Sequence, residues 1–226
     1  MPVPHLNIKI VQRSKGKSAV AGAAYQAGER LFSEYDQQWK NYLCKKEVVY
    51  TEIMLPTNAP PEYADRTTLW NSAEEVEKQW NSQLARRFVI ALPREVPIEM
   101  CPQMMQEYCN EHFVSKGMCC DFAIHDPDPP GHNPHCHIML TMRAIDENGK
   151  WMPKSRKVYD LDENGERIKL PSGRWKATRR ILLTGTNSIM PKNGDTDGES
   201  FRINIWSFPE APNVWICVPM NGRALM

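Results

Sequence analysis

The chain lacks several features that would place it at once. It has no CxxC pair and an odd number of cysteines, seven, so a disulfide framework is not indicated and a reducing, cytoplasmic setting is expected. No apolar run approaches the roughly 20 residues that cross a bilayer, so no membrane insertion is expected. The small residues from Ala19 to Ala27 follow two lysines as a secretory leader would. They are too few, too weakly apolar and too soon followed by charge. Net charge is nearly absent as well, at +1, but the balance conceals a local excess. Lys150 to Arg180 carries ten Lys and Arg against four Asp and Glu, with Trp151, Tyr159 and Trp175 among them. Cations interleaved with aromatics suit a polyanion whose bases can stack; a solvated hairpin surface is the plain alternative.

What is present suffices for one core, at 226 residues and 41% hydrophobic content. His5 to Gln12 alternates as a strand, and Ser18 is placed to cap a helix from Ala19 to about Phe32. Val48 to Met54 reads as a strand stopped by Pro56. Tyr63 to Gln83 reads as a helix carrying Leu69, Trp70, Val76 and Trp80 at helical spacing. Phe88 to Leu92 is a buried strand closed by Pro93, and Ile98 to Ser115 a third helix. With two further strands the order is β-α-β-α-β-α-β-β. This predicts an α+β fold, a mainly antiparallel central sheet with helices packed on it. Two Asp-Glu-Asn-Gly turns, 146–149 and 162–165, punctuate the basic region.

The last two strands carry the chemistry. An apolar run from Met118 to Ile124 ends on His125, a loop rich in Pro and Asp follows, and His135 and His137 open the next strand. Side chains at i and i+2 share a face, so an antiparallel pair gathers three imidazoles at one end of the sheet. Such a cluster suits a divalent cation with open positions. Cys136 points to the opposite face and belongs to the core. His132, in the loop, is read as a non-ligand.

Three histidines alone are equally compatible with a zinc hydrolase. The segment RSKGKSAVAGAAYQAGERL tips the balance. It sets one phenol, Tyr25, in a helix of small residues that lets another backbone come close. Ser14, Lys15, Lys17 and Arg30 offer phosphate contacts at the helix entry and exit.

Four stretches, SAVAGAAYQAGERL, VVYTEIMLPTNAP, LARRFVIALPREV and AIHDPDPPGHNPHCHIML, resemble the MobA/MobL family of plasmid mobilisation relaxases, within the HUH endonucleases. The resemblance covers about residues 5–180. It implies an HUH relaxase-like palm over 1–180 and a nick on single-stranded DNA at a plasmid transfer origin. It further implies Tyr25 as nucleophile, and His125, His135 and His137 as ligands of Mg²⁺ or Mn²⁺. All-imidazole ligation leaves Zn²⁺ open. The basic hairpin region, 146–180, would contact DNA through Lys154, Arg156, Lys157, Arg174 and Lys176. Relaxosome accessory and coupling proteins are the implied partners.

Two departures bear on activity. Relatives usually carry Arg-Glu where this chain has Arg86-Arg87, and that acid supports the histidines. Unless Glu95 or Glu77 substitutes, metal affinity should fall about 10–100-fold; a solvent-facing Arg87 would have no such effect. A catalytically impaired DNA-binding remnant is therefore the alternative function. Lys46-Glu47 replaces a Gly-Gly common in relatives, a tolerated loop change.

After Arg180 the sequence leaves the family pattern. Residues 181–226 hold four prolines, no sustained periodicity and a net charge of −1, where relatives continue into a Trp-rich amphipathic helix. We read a frameshift near Arg180 to Ile181, because the segment read two nucleotides forward can spell a family-like continuation. A divergent tail is the alternative. The tail is expected to pack poorly and to lack helices that close the DNA site. Ile203, Ile205, Trp206, Phe208 and Trp215 would then be an aggregation liability. The gene decides: an open alternative frame beyond codon 180 is expected, and an early stop codon in it would refute the shift.

Overall fold

The computed structural model describes residues 6–129, 133–181, 201–204 and 215–218. Strand β1 (Leu6–Gln12) leads through a short 3₁₀ turn into helix α1 (Ala19–Ala27). A small hairpin, β2 (Arg30–Ser33) and β3 (Gln38–Asn41), follows, then β4 (Val48–Met54) and α2 (Arg66–Val76). Next come β5 (Gln83–Ala91), α3 (Cys101–His112), β6 (Cys120–His125) and β7 (His135–Thr141). The basic region forms β8 (Ser155–Tyr159) and β9 (Ala177–Ile181), and β10 (Phe201–Asn204) pairs with β11 (Trp215–Val218) in a separate ladder. The rest of the tail, His132, Ile205, Trp206 and Phe208 lie outside the described residues.

The architecture is the α+β arrangement expected. Five strands pair in the order β1-β5-β7-β6-β4, every pairing antiparallel. Alternation along the central strands gives the sheet two apolar faces. Phe88, Ile90, Phe122, Ile124, Cys136, Ile138 and Leu140 pack with α3. Met139, Leu84 and Ala85 pack with α1 and α2. Cys136 is fully buried among the first group, as its alternation implied.

Several boundaries differ from the sequence reading, and the strand expected from Phe88 already begins at Gln83. Helix α1 stops at Ala27 because Gly28 takes a left-handed conformation (φ 66°) and its N–H returns to the Ala24 carbonyl. That is a glycine stop at the helix C-terminus. The expected helical turns up to Phe32 become instead the first strand of the small hairpin. Helix α2 is shorter than 63–83, so Trp80, expected on its apolar face, is 73% exposed. The third helix is flanked by 3₁₀ turns and is regular only over Cys101–His112.

Helix α1 sits close against the sheet because its buried face is Ala19, Val20, Ala23, Ala24 and Ala27. A Cβ added at Gly22 would lie 3.1 Å from the Met139 Sδ. The Ser18 side chain accepts from the Ala21 N–H, and a Glu74 carboxylate oxygen from α2 accepts from the Ser18 hydroxyl and the Ala19 and Val20 N–H groups. An acidic oxygen at the first amide groups is the favourable end of the helix dipole. Arg13 in turn donates to the Glu74, Glu77 and Gln79 carbonyls at the end of α2.

Beneath both helices lies Asp121, fully buried in β6. Its carboxylate accepts from Arg66 Nε (2.9 Å), Arg66 Nη2 (3.1 Å) and Trp70 Nε1 (2.8 Å). Removing one member of such a pair strands the other charge in the core. Asp121→Ala should therefore lower unfolding free energy by about 3–5 kcal/mol. The check is a urea midpoint shift at unchanged m-value; a loss below 1 kcal/mol would contradict the role given to Asp121.

Candidate active site

The register of β6 against β7 places His125 directly opposite His135, and Ala123 opposite His137. Position 125 and positions 135 and 137 point to the α1 face. One ring nitrogen from each of the three histidines lies within 4.8 Å of the other two, and the ring centroids are 4.4 to 5.2 Å apart. Donor number, type and spacing fit a divalent cation with open positions.

The tautomers follow from neighbouring groups. His125 Nε2 lies 2.6 Å from the Gln26 carbonyl and His135 Nδ1 lies 2.7 Å from the Asn133 carbonyl, so those nitrogens carry the protons. Nδ1 of His125 and Nε2 of His135 are left as lone pairs, with backbone carbonyls acting as the orienting acceptors. His137 differs. Arg87 Nη2 donates to its Nδ1 at 3.1 Å, so in the neutral ring Nε2 keeps the proton. Arg87 thus faces the histidines rather than solvent. Neither candidate acid substitutes there: Glu77 is paired with Arg143 and Lys154, both at 2.7 Å, and Glu95 is exposed after β5.

Tyr25 joins this cluster from the last turn of α1. Its neighbour Gln26 is buried, donating to the Asp121 carbonyl while its own carbonyl holds His125, so the helix end is fixed to β6. Tyr25 itself is 37% exposed, with its ring 6.2 Å from that of His137 and 5.4 Å from Tyr42. Two cations address the same ring: Lys45 Nζ at 3.8 Å from the centroid and Arg87 Cζ at 4.9 Å. Lys45 and Tyr42 escaped the sequence reading. They stand after a hairpin that the Gly28 stop alone could have announced.

Of the other residues expected to meet DNA, Ser14, Lys15 and Lys17 are exposed around the turn before α1. Arg30 is exposed and stacks over Trp39 at 4.3 Å. Arg156, Lys157 and Arg174, with Tyr159 and Trp175, line an open groove of about 630 Å³ in the β8–β9 hairpin. Lys176 is exposed and pairs with Asp160 at 3.1 Å. Lys154 is a correction: it is spent on Glu77 and the Gln83 carbonyl, fastening the hairpin to the body. Both Asp-Glu-Asn-Gly turns form as expected, Asp146 and Asp162 each accepting from two backbone N–H groups.

Burial sets the charge state of the rings. It lowers His125 to about 4, with Lys45 and His135 adding to the effect, and lowers His137 to about 2, with Arg87 the next cause. Both rings are neutral in the folded protein at pH 5, whereas an unfolded histidine takes up a proton below about 6.5. Unfolding then binds protons, and stability falls as pH drops from about 6.5 to about 4. With chelator present, each ring should contribute at most about 1.4 kcal/mol per pH unit in that window. Denaturant melts between pH 4 and 7 test this: His137→Gln should flatten the slope, and an unchanged slope would refute it.

Comparison with known proteins gives the chain its family. Residues 17–202 match the model of the MobA/MobL family. The chain is 37% identical over 172 residues to a probable mobilization protein MobA of Bifidobacterium longum, covering 75% of this chain and 30% of that protein. It is 34% identical over 184 residues to a conjugal transfer protein TraA of Agrobacterium fabrum, covering 77% of this chain and 16% of that one. The chain thus spans less than a third of the length of these relatives. A solved structure described as the molecular basis of vancomycin resistance transfer in Staphylococcus aureus superposes with a TM-score of 0.64 at 33% identity. The match covers 69% of this chain and 78% of that one. Sequence and backbone converge on one kinship: this chain belongs to the MobA/MobL family.

Proposed function

We propose that the chain nicks and religates single-stranded DNA at a plasmid transfer origin during conjugative mobilisation, with Tyr25 as the nucleophile. The observation that carries this reading is the placement of one accessible phenol against a three-histidine cluster, between Lys45 and Arg87. A hydrolase needs the histidines but has no use for the phenol. Relatives named for mobilization and conjugal transfer support the same setting.

In this mechanism the Tyr25 oxygen attacks the scissile phosphorus. The tyrosyl O–P bond forms, the P–O3′ bond breaks, the phenolic proton passes to solvent and the 3′-oxygen takes a proton from water. The phosphodiester energy stays in the phosphotyrosyl link, so the 3′-hydroxyl can attack in reverse and reseal the strand. His125, His135 and His137 would hold Mg²⁺, Mn²⁺ or Zn²⁺. When bound, the ion supplies charge neutralisation and polarisation of the phosphoryl oxygen. The chain's own part is positional. Gln26 fixes the nucleophile helix to β6, and the Gln26 and Asn133 carbonyls orient two ligand rings. Lys45 and Arg87 draw the phosphate toward Tyr25, while the groove between Tyr159 and Trp175 suits stacked bases with Arg156, Lys157 and Arg174 on their phosphates. Relaxosome accessory and coupling proteins and a cytoplasmic location belong to the same proposal, as does a frameshift near Arg180 to Ile181, although the family match itself runs on to residue 202.

The second reading, a DNA-binding remnant without catalysis, is favoured by one observation, the Arg87 hydrogen bond on His137. A single experiment separates the two. Incubated with Mn²⁺ and origin-region single strands, the protein should form a denaturant-stable DNA adduct that Tyr25→Phe abolishes. Binding without any adduct would establish the remnant, and a Zn²⁺-dependent hydrolysis indifferent to Tyr25→Phe would defeat both.

A further inference from the structure

The guanidinium of Arg87 is the least reconciled group near Tyr25. It lies on β5 opposite Met139 of β7, on the sheet face that α1 covers. Burial is the largest influence on it and works against its charge; the Tyr25 and Tyr42 phenols are what offsets this. Its Nη2 is given to a neutral ring nitrogen, its Cζ lies over the Tyr25 ring, and its buried Nε has no hydrogen-bond partner among the described residues. A partly buried cation that has no carboxylate partner among the described residues, and whose buried N–H is unused, is poorly compensated. What it lacks is an anion.

We propose that Arg87 binds a non-bridging oxygen of the phosphate presented to Tyr25, and that it leaves His137 to do so. This rests on the reading of the site as one for phosphodiester transfer. An arginine fork matches two oxygens of a phosphate, and phosphate is a stronger partner for it than an imidazole lone pair. Lys45, on the same phenol and paired with Glu47 at 2.8 Å, would supply a second positive group for the same anion by exchanging that carboxylate for phosphate. The exchange has a second consequence at His137. While Arg87 donates to Nδ1, the proton remains on Nε2, and a divalent cation must compete with the arginine for the ring. Once the guanidinium moves to phosphate, the ring is free to change tautomer and ligate. Phosphate and cation therefore bind cooperatively, each strengthening the other by the same factor.

Inorganic phosphate titrated in EDTA, followed through the ring resonances of His137 and Tyr25, tests the assignment on the unaltered chain. A saturable shift of both is expected. Arg87→Gln should weaken phosphate binding at least tenfold, and Arg87→Lys should weaken it less. The same Arg87→Gln protein should bind Mn²⁺, by calorimetry without phosphate, about tenfold more tightly than the wild type, because the competitor at His137 is gone. Absence of any His137 shift in the wild type, or equal phosphate affinity in Arg87→Gln, would overturn the proposal. So would Mn²⁺ binding that is unchanged or weaker in Arg87→Gln. The DNA adduct assay reports separately. No adduct with the phosphate titration intact leaves Arg87 as assigned and removes the nicking reading. An adduct formed equally well by wild type and Arg87→Gln keeps nicking and removes Arg87 from it.

Discussion

Asp121 is the point on which the rest of the molecule hangs. Its carboxylate holds Arg66 and Trp70 of α2, and its backbone carbonyl holds Gln26 of α1. Gln26 in turn holds the ring of His125. One residue near the start of β6 thus ties both helices of that face to the strand that carries His125. A buried carboxylate is tolerable only when its lone pairs are filled, and here three donors fill them. Through its backbone carbonyl and Gln26, the same residue also holds the end of α1 that carries Tyr25 against the histidines.

The electrostatics of the site run in one direction. His125 and His137, kept neutral by burial, stand beside Lys45 and Arg87, and near neutral pH neither carries an extra proton that must be lost before a cation can enter. Orientation of two rings by main-chain carbonyls makes the ligand set depend on backbone placement more than on any supporting side chain. The arginine on the third ring gives that position two alternative occupants, which sets it apart from its neighbours.

Much of this was readable in order. Val48–Met54 forms the strand its β-branched run indicated, and the i, i+2 histidines gather as strand alternation requires. Cys136 went inward by the same period of two. What escaped was set by long-range structure. The helix expected to reach Phe32 ends at Ala27, because a left-handed glycine at 28 ends a helix whatever follows. Trp80 was assigned to a buried face that the shorter α2 does not provide. The direction of Arg87 depends on the register of β5 against β7, and the position of Lys45 over Tyr25 depends on how the small hairpin folds back. Neither leaves a local pattern. Lys154 looked like its exposed neighbours in composition and differs only through Glu77, 77 positions earlier in the chain.

The close approach at Gly22 has an implication for how such sequences can change over time. A Cβ at that position would sit 3.1 Å from the Met139 Sδ, so the thioether would have to give by a few tenths of an ångström and the two residues share one volume across the helix–sheet boundary. A larger residue at 22 is tolerable when 139 shrinks, and a bulkier, stiffer residue at 139 demands that 22 stay glycine. The pair should therefore vary together among related chains and behave non-additively in a double-mutant cycle. Because Tyr25 lies one turn further along the same helix, drift in this shared volume would be registered at the Tyr25 phenol before it was registered in the overall fold.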